Sequence, residues 1–448
     1  MREFKETLKD SKSGKTMETK LSSLSQYAAK EPQRKFVNIM YRVNEGSLKA
    51  NFYLLGRKRA VGVDGVGWQE YGERLNANID NLLERMRRMG YRPQPVRRVY
   101  IPKGRNGKRP LGVPTVEDKV VQKTMSCIME AIYEQDFYDF SYGFRPAKSC
   151  HQALKRVGEI INFKPINHII EADIKGFFDN VRHEKLMELV RRRITDKKFL
   201  RYIVRFLKAG YIESGLLKET EEGTPQGGNL SPLLANIFLH YVLDEWFEKE
   251  LKPTLIGQCY LVRYCDDFVI LAQYQQEVKA VMIRLQERFK AYGLELNMEK
   301  SRVISFGRYE RENAGRQLRR ANTFDFLGFT HYCALTRKGK FKISRRTSAE
   351  RFRKSLGEIY LWLKAFKNTI SIKELWTQLI SKLRGHYQYY GVSENFRRLQ
   401  EFYHCVEGIA FKLLNRRCQK KSFNWQGFCK YLQRFPLPKP HIVCNFYA

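Results

Sequence analysis

The segment Val262-Arg263-Tyr264-Cys265-Asp266-Asp267-Phe268-Val269-Ile270-Leu271 sets two adjacent carboxylates between two runs of strand-forming residues. That pattern limits the fold sharply. Gly257 to Ala272 reads as a hairpin with an acidic turn at its middle. Neighbouring side chains in a strand face opposite ways, whereas a tight turn can present both to one cleft. Two like charges among apolar residues are costly unless cations neutralise them. An isolated Asp-Asp pair is more often a solvated turn. Between apolar strands the favoured reading is a site for hard divalent cations such as Mg²⁺, which take carboxylate oxygens and leave positions for substrate phosphates.

A third carboxylate, Asp173, ends the buried-strand candidate Ile169-Ile170-Glu171-Ala172-Asp173-Ile174 and precedes Lys175-Gly176-Phe177-Phe178-Asp179. Asp173, Asp266 and Asp267 together could hold two ions, one activating a hydroxyl and the other a leaving pyrophosphate. Two further segments are suggestive. In Glu222-Gly223-Thr224-Pro225-Gln226-Gly227-Gly228-Asn229-Leu230-Ser231-Pro232 the glycine pair lets backbone approach a ligand; an ordinary loop capping a helix over Leu233 to Glu250 explains it equally well. In Arg98 to Pro110, cations that include Lys103 and Arg109 cluster on a hairpin. They could clamp a triphosphate, or form a solvated basic turn.

Charge points the same way. Lys and Arg number 82 against 47 Asp and Glu, a net charge of +35, which repels itself unless a polyanion such as a phosphate backbone neutralises it. Composition alone would equally suit a ribosome-like basic protein. No two of the nine cysteines form a C-x-x-C pair, which argues against a zinc ribbon. Their odd count and irregular spacing suit reduced thiols. Met1-Arg2-Glu3-Phe4-Lys5 leads into no apolar signal segment, and no apolar run is long enough to span a bilayer. A soluble, cytoplasmic protein with no membrane partner is expected.

Residues 1–27 read as a flexible basic leader. Their Ser13-Gly14-Lys15-Thr16 is no P-loop, because Lys9 stands where the first glycine belongs. The pattern is mostly helical from 28 to 95, then a hairpin from Val96 to Val113, then a helix over Glu117 to Tyr133. From 345 onward it is helical and basic, with capping-box patterns at Thr347-x-x-Glu350 and Ser371-x-x-Glu374. The expected class is α+β followed by an α-helical bundle.

The order of these segments matters more than any one of them. A basic hairpin, Asp173-x-x-x-Phe177-Phe178, Pro225-Gln226-Gly227-Gly228 and Tyr264-x-Asp266-Asp267 follow the order found in reverse transcriptases. Gly293 to Ser301 and Phe326-Leu327-Gly328-Phe329 resemble the sixth and seventh blocks of that family. Gly62-Val63-Asp64-Gly65, Ser141 to Pro146, Gln226 to Asn236 and Arg384 to Tyr390 resemble the branch encoded in bacterial group II introns. The resemblance covers roughly residues 35–418.

It implies a right-hand polymerase: fingers and palm with an antiparallel sheet over 28–335, a three-helix thumb or maturase bundle over 336–418, and a short basic extension over 419–448. Asp173, Asp266 and Asp267 resemble the catalytic triad, with the Ile174 carbonyl as a further metal ligand and two Mg²⁺ as cofactors. Lys103 and Arg109 resemble the triphosphate clamp, Phe177 the steric gate against a 2′-hydroxyl, Gln226 the pocket lining and Lys300 a residue near the phosphates. Phe326, Leu327, Gly328 and Phe329 resemble the primer grip. Core packing is the ordinary alternative for Phe177 and Phe329. The family most often has alanine where Cys265 stands. No His-Asn-His nuclease block follows Phe435 to Pro440, so second-strand cleavage is not expected.

The implied partners are an RNA template, a DNA or RNA primer, deoxynucleotides and a group II intron RNA gripped by residues 345–420 to assist splicing. Most aromatics of that bundle are expected in its core, with its cations outside. Two rivals stand beside this reading: an RNA-binding splicing factor with an inactive polymerase site, and a reverse transcriptase domesticated in phage defence or a CRISPR system.

Overall fold

Three sheets and a helical bundle carry the chain in a computed structural model that describes residues 12–103, 107–213, 216–218, 223, 227–417 and 424–447. In chain order the described strands are β1 (Val96–Lys103), β2 (Gly107–Val113), β3 (His168–Ala172), β4 (Tyr211–Glu213), β5 (Leu216–Lys218), β6 (Cys259–Tyr264), β7 (Asp267–Ala272), β8 (Arg302–Ser305), β9 (Thr323–Phe326), β10 (Phe329–Leu335) and β11 (Phe341–Thr347). The fingers sheet runs β2-β1-β4-β5, with one short parallel pairing between β1 and β4. The palm sheet runs β6-β7-β3-β8 and is antiparallel throughout. A third sheet, β11-β10-β9, leads into the thumb.

The palm sheet is covered on both faces, which is why β3 reads as an unbroken apolar run. Ile170 faces a core shared with the helices Val116–Tyr133 and Ser231–Leu239. Ile169 faces a second core with the helix Cys150–Phe163 and β10. The caps are local and legible. Thr115 Oγ1 accepts from the Asp118 amide (3.1 Å), with Glu117 and Asp118 in the first turn to favour its dipole. Ser149 and Gln152 form a reciprocal capping box.

Four expectations need correction. Residues 12–30 are a helix, not a flexible leader, because Leu24 and Ala28 bury against the helices Glu45–Tyr53 and Val116–Tyr133; residues 1–11 lie outside the described set. The expected helix over 233–250 is α-helical only across Ser231–Leu239. It continues as two π-helical turns, His240–Asp244 and Phe247–Leu251, whose wider winding redirects the side chains. The cap of the first thumb helix is Ser348, not Thr347, since β11 runs through Thr347 and Asn395 fixes that residue's amide and hydroxyl (2.8 and 2.9 Å). The hairpin β10–β11 therefore moves the thumb boundary from 335 to 347. The three thumb helices are Ala349–Phe366, Ile372–Tyr390 and Phe396–Leu414.

The fourth correction concerns residues 424–447, which are packed and not a loose basic extension. The helix Trp425–Arg434 seats Phe428 in the thumb core. Beyond it an extended strap places Leu437 in that core and Phe446 in the palm core. Between these anchors the amides of Val443 and Cys444 donate to the Gly391 carbonyl (2.6 and 2.9 Å), and the Cys444 carbonyl accepts from Ser393 (3.1 Å). The described cysteines are all free thiols, and no described helix is long and apolar enough to cross a membrane.

Removing the second anchor should free the strap. Phe446→Ala is expected to cost about 3 kcal/mol locally, read as faster amide hydrogen exchange at 391–395 and 443–446 with the thumb helices unchanged. Unaltered exchange there would show that the ring does not hold the strap.

A candidate polymerase active site

The turn between β6 and β7 closes on the pair Tyr264–Asp267, leaving Cys265 and Asp266 at its tip. Cys265 has φ +58°, a left-handed conformation that lets so short a connection reverse the chain. Ala172 of β3 pairs with Phe268 of β7, so the next residue along β3, Asp173, falls level with Asp267 at the mouth of the sheet. The register itself brings Asp173 and Asp267 side by side.

The segment 293–301 frames Asp173. Its amide donates to Ser301 Oγ (3.2 Å) and its carbonyl accepts from the Asn297 amide (2.8 Å). Its carboxylate accepts from Asn297 Nδ2 (3.2 Å) and lies 3.7 Å from Lys300 Nζ. Ile174, buried, bridges to Leu296. Lys300 thus lies in the cleft beside Asp173.

Asp267 opens to the cleft yet is crowded by protein. Burial first, then the neighbouring Asp266 and Asp173, push its carboxyl up to about 6, while Arg351 and Arg109 oppose the rise. Arg109, paired with Ile101 across the fingers hairpin, is therefore within electrostatic reach of the acids. Among the described residues no three acidic, His or Cys side chains converge tightly enough to hold an ion as they stand. Mutual repulsion explains the spacing: Asp173 is drawn to Lys300 and Asn297. The donor chemistry nonetheless suits Mg²⁺. Hard oxygen donors lie at the mouth of the sheet, and the nearby counter-charges are side chains that can swing away.

A cleft of about 610 Å³ runs from these acids to the thumb, lined by Asp173, Asp267, Lys300, Phe326, Leu327, Gly328, Arg351, Tyr389 and Tyr390. Leu327 (φ +49°) and Gly328 (φ +79°) form the tight turn between β9 and β10. Tyr389 Oη donates to the Leu327 carbonyl (3.0 Å), and a Cβ on Gly328 would meet Tyr390 Oη at 3.3 Å. Phe329 lies in the core, stacked on Tyr389 at 6.0 Å, and does not line the cleft. Phe177 is also a core residue, edge-on to Phe178 and Phe238. Lys103 lies on β1, but its side chain and all of Gln226 fall outside the described residues.

Sequence reasoning missed the thumb's share of the cleft, Arg351, Tyr389 and Tyr390, since nothing local says that helix ends meet the palm. It also passed over Arg263, a charge inside the apolar run of β6. It is fully buried, and its bidentate ion pair with Asp244, also fully buried, sits beneath the acidic turn.

The crowding predicts a trade of stability for chemistry. Asp267 is raised above its unfolded value near 4, so its contribution to stability is full below that value and lost as pH rises through about 6. Discounted for solvent exposure, Asp267→Asn should raise the melting temperature of metal-free protein by roughly 1–2 °C at pH 7.5. It should give no gain at pH 4 and should abolish activity. Destabilisation at both pH values would refute the repulsion.

The segment that holds this site resembles known proteins. Residues 101–331, just over half the chain, match the family described as reverse transcriptase (RNA-dependent DNA polymerase). Protein YkfC of Escherichia coli (strain K12) is 34% identical over 322 residues, covering 62% of this chain and 82% of YkfC. The group II intron-encoded protein LtrA of Lactococcus lactis subsp. cremoris is 48% identical over 163 residues, 36% of this chain but only 27% of LtrA. An uncharacterized 91 kDa protein in the cob intron of Schizosaccharomyces pombe is 42% identical over 170 residues, 38% of this chain and 21% of that protein. The family match contains the palm strands and the acidic turn. This chain belongs to the reverse transcriptases, the RNA-directed DNA polymerases.

Proposed function

We propose that this chain extends a primer 3′-hydroxyl with deoxynucleotides on an RNA template by a two-metal mechanism, and that it also binds a group II intron RNA to assist splicing and mobility. The observation that carries the first part is the single mouth shared by Asp173 and the Asp266–Asp267 turn, with Lys300 at 3.7 Å from Asp173. Two Mg²⁺ held by Asp173, Asp266, Asp267 and the Ile174 carbonyl would supply hydroxyl activation and neutralise the leaving pyrophosphate. The residues do the rest. Arg109 and Lys300 face the triphosphate and hold it in line with the primer terminus, with Lys103 and Gln226 in the roles that the family resemblance implies. Leu327 and Gly328 present backbone to the primer, where Gly328, left-handed and without a Cβ, allows close approach. Phe177 bounds the sugar side from the core. The 3′-oxygen forms its bond to the α-phosphorus as the bond to pyrophosphate breaks.

The second part rests on how the thumb divides its residues. Trp376 and Tyr387 are buried, while Arg353, Lys364, Lys373, Lys382, Arg384 and Arg397 are exposed on its outside. Such a surface suits phosphate contacts along a folded RNA, with specificity coming from shape.

Primer extension on an RNA template with deoxynucleotides and Mg²⁺ tests the first part. Wild type should extend, and Asp266→Ala with Asp267→Ala should lose about 10³-fold or more. A folded wild type that binds RNA but never extends would favour a splicing factor with an inactive site. For the second part, intron RNA affinity should fall about 10³-fold between 50 and 200 mM salt if six or so phosphates are neutralised. It should be unchanged in the double alanine variant. A salt-independent affinity would contradict a phosphate-gripping thumb.

A further inference from the structure

We propose that Arg263, Asp244 and Asn236 are positioning residues for the polymerase reaction: a solvent-free hydrogen-bonded ring that holds the Cys265–Asp266 turn and so fixes where the paired carboxylates point. The inference rests on the polymerase reading above and deepens it.

The turn needs outside support. Cys265 is not glycine, yet its φ is +58°, a conformation that persists only where the surroundings impose it. Two adjacent carboxylates that repel one another add a further push on the same backbone. Arg263, two residues back, is 0% exposed and answers this load with a planar, forked group. Its Nη1 donates to the Cys265 carbonyl (3.1 Å) and to Asn236 Oδ1 (3.0 Å), while Nε and Nη2 grip both oxygens of Asp244, the Nε contact at 2.7 Å.

The ring then closes through the neighbouring segment. Asn236 Nδ2 donates to the Gly143 carbonyl (2.7 Å), and Gly143 lies so near the turn that a Cβ there would sit 2.4 Å from the Cys265 nitrogen. Arg263 also pairs by backbone with that segment, donating to the Phe140 carbonyl (2.9 Å) and accepting from the Tyr142 amide (2.8 Å). Asn236 and Asp244 are each 0% exposed. Asn236 comes from the helix Ser231–Leu239 and Asp244 from the π-helical turn that follows it.

Stability alone does not explain such a ring. A buried ion pair is often matched or bettered by apolar residues of similar volume, because two charges must be stripped of water. What apolar residues cannot do is hold a carbonyl at a set angle. A lysine could not do so either, since its single ammonium cannot reach Asp244, Asn236 and Cys265 in one plane.

The test uses full-length protein with two variants, Arg263→Met combined with Asp244→Leu, and Asn236→Ala. Thermal melting, template–primer affinity, kcat, KM for deoxynucleotide, and Mn²⁺ binding by electron paramagnetic resonance are measured for each. The expected result is a melting temperature at or above wild type for the double variant and template–primer affinity within about twofold. In both variants kcat should fall by about 10²-fold, as for a small displacement of reacting groups, with KM little changed and Mn²⁺ binding weakened several-fold. Folded variants with wild-type kcat and Mn²⁺ binding would overturn the proposal. So would unfolding of both variants, which would make the ring a stability element. The Mn²⁺ titration needs no template, so it still reads the ring if the polymerase reading itself fails.

Discussion

Three carboxylates confined to one mouth repel one another, and much of the surrounding architecture can be understood as what that repulsion requires. Counter-charge arrives from each part of the hand: Arg109 from the fingers hairpin, Lys300 from the palm, Arg351 from the first turn of the thumb. None of these is locked to its acid by a close bidentate pair. Lys300 stands at 3.7 Å, a distance at which the ammonium can leave once a cation or a phosphate takes its place. The locked pair, Arg263 with Asp244, lies underneath, where it bears on backbone and not on substrate.

The same division between fixed frame and movable charge governs the thumb. Asn395 is fully buried and bonds the end of β11 and the end of the helix Ile372–Tyr390 together, through Thr347 and the Tyr390 carbonyl (2.8 Å). The strap pairs with the adjacent residues Gly391 and Ser393 and is anchored in both cores. Tyr389 and Tyr390 are thereby held over the Leu327–Gly328 turn, so this side of the cleft is set by backbone contacts remote from the acids. Hydrogen bonds thus tie palm and thumb together at their junction, while the cations on the thumb's outer face stay exposed.

Much of this was legible because it is local or periodic. The acidic hairpin, the fingers hairpin and the helix at 116–133 announce themselves by alternation, turn residues and caps. The order of the blocks then places Asp173 beside them. What escaped notice has a common cause in distance or dilution. Arg263 finds its partners 19 and 27 residues earlier in the chain, one of them aimed by a π-helical turn that no 3.6-residue pattern foretells. The N-terminal helix hides its few buried positions in a Lys- and Ser-rich background, and the strap anchors single apolar residues without any period. Phe177 and Phe329 are core residues, the alternative that the sequence left open beside their family roles.

Cys265 occupies the tip of the acidic turn, and its placement bears on how the protein would age. Only 2% of the residue is exposed, and burial together with the adjoining Asp266 raises the thiol's pKa far above its ordinary value. The reactive species in alkylation and peroxide oxidation is the thiolate. A centre that carries a cysteine is thus shielded from the damage cysteines usually invite. Among the described cysteines, electrophiles should instead find Cys405 first, exposed on the far helix of the thumb. Oxidative wear would mark the outside of the molecule before it reached the chemistry.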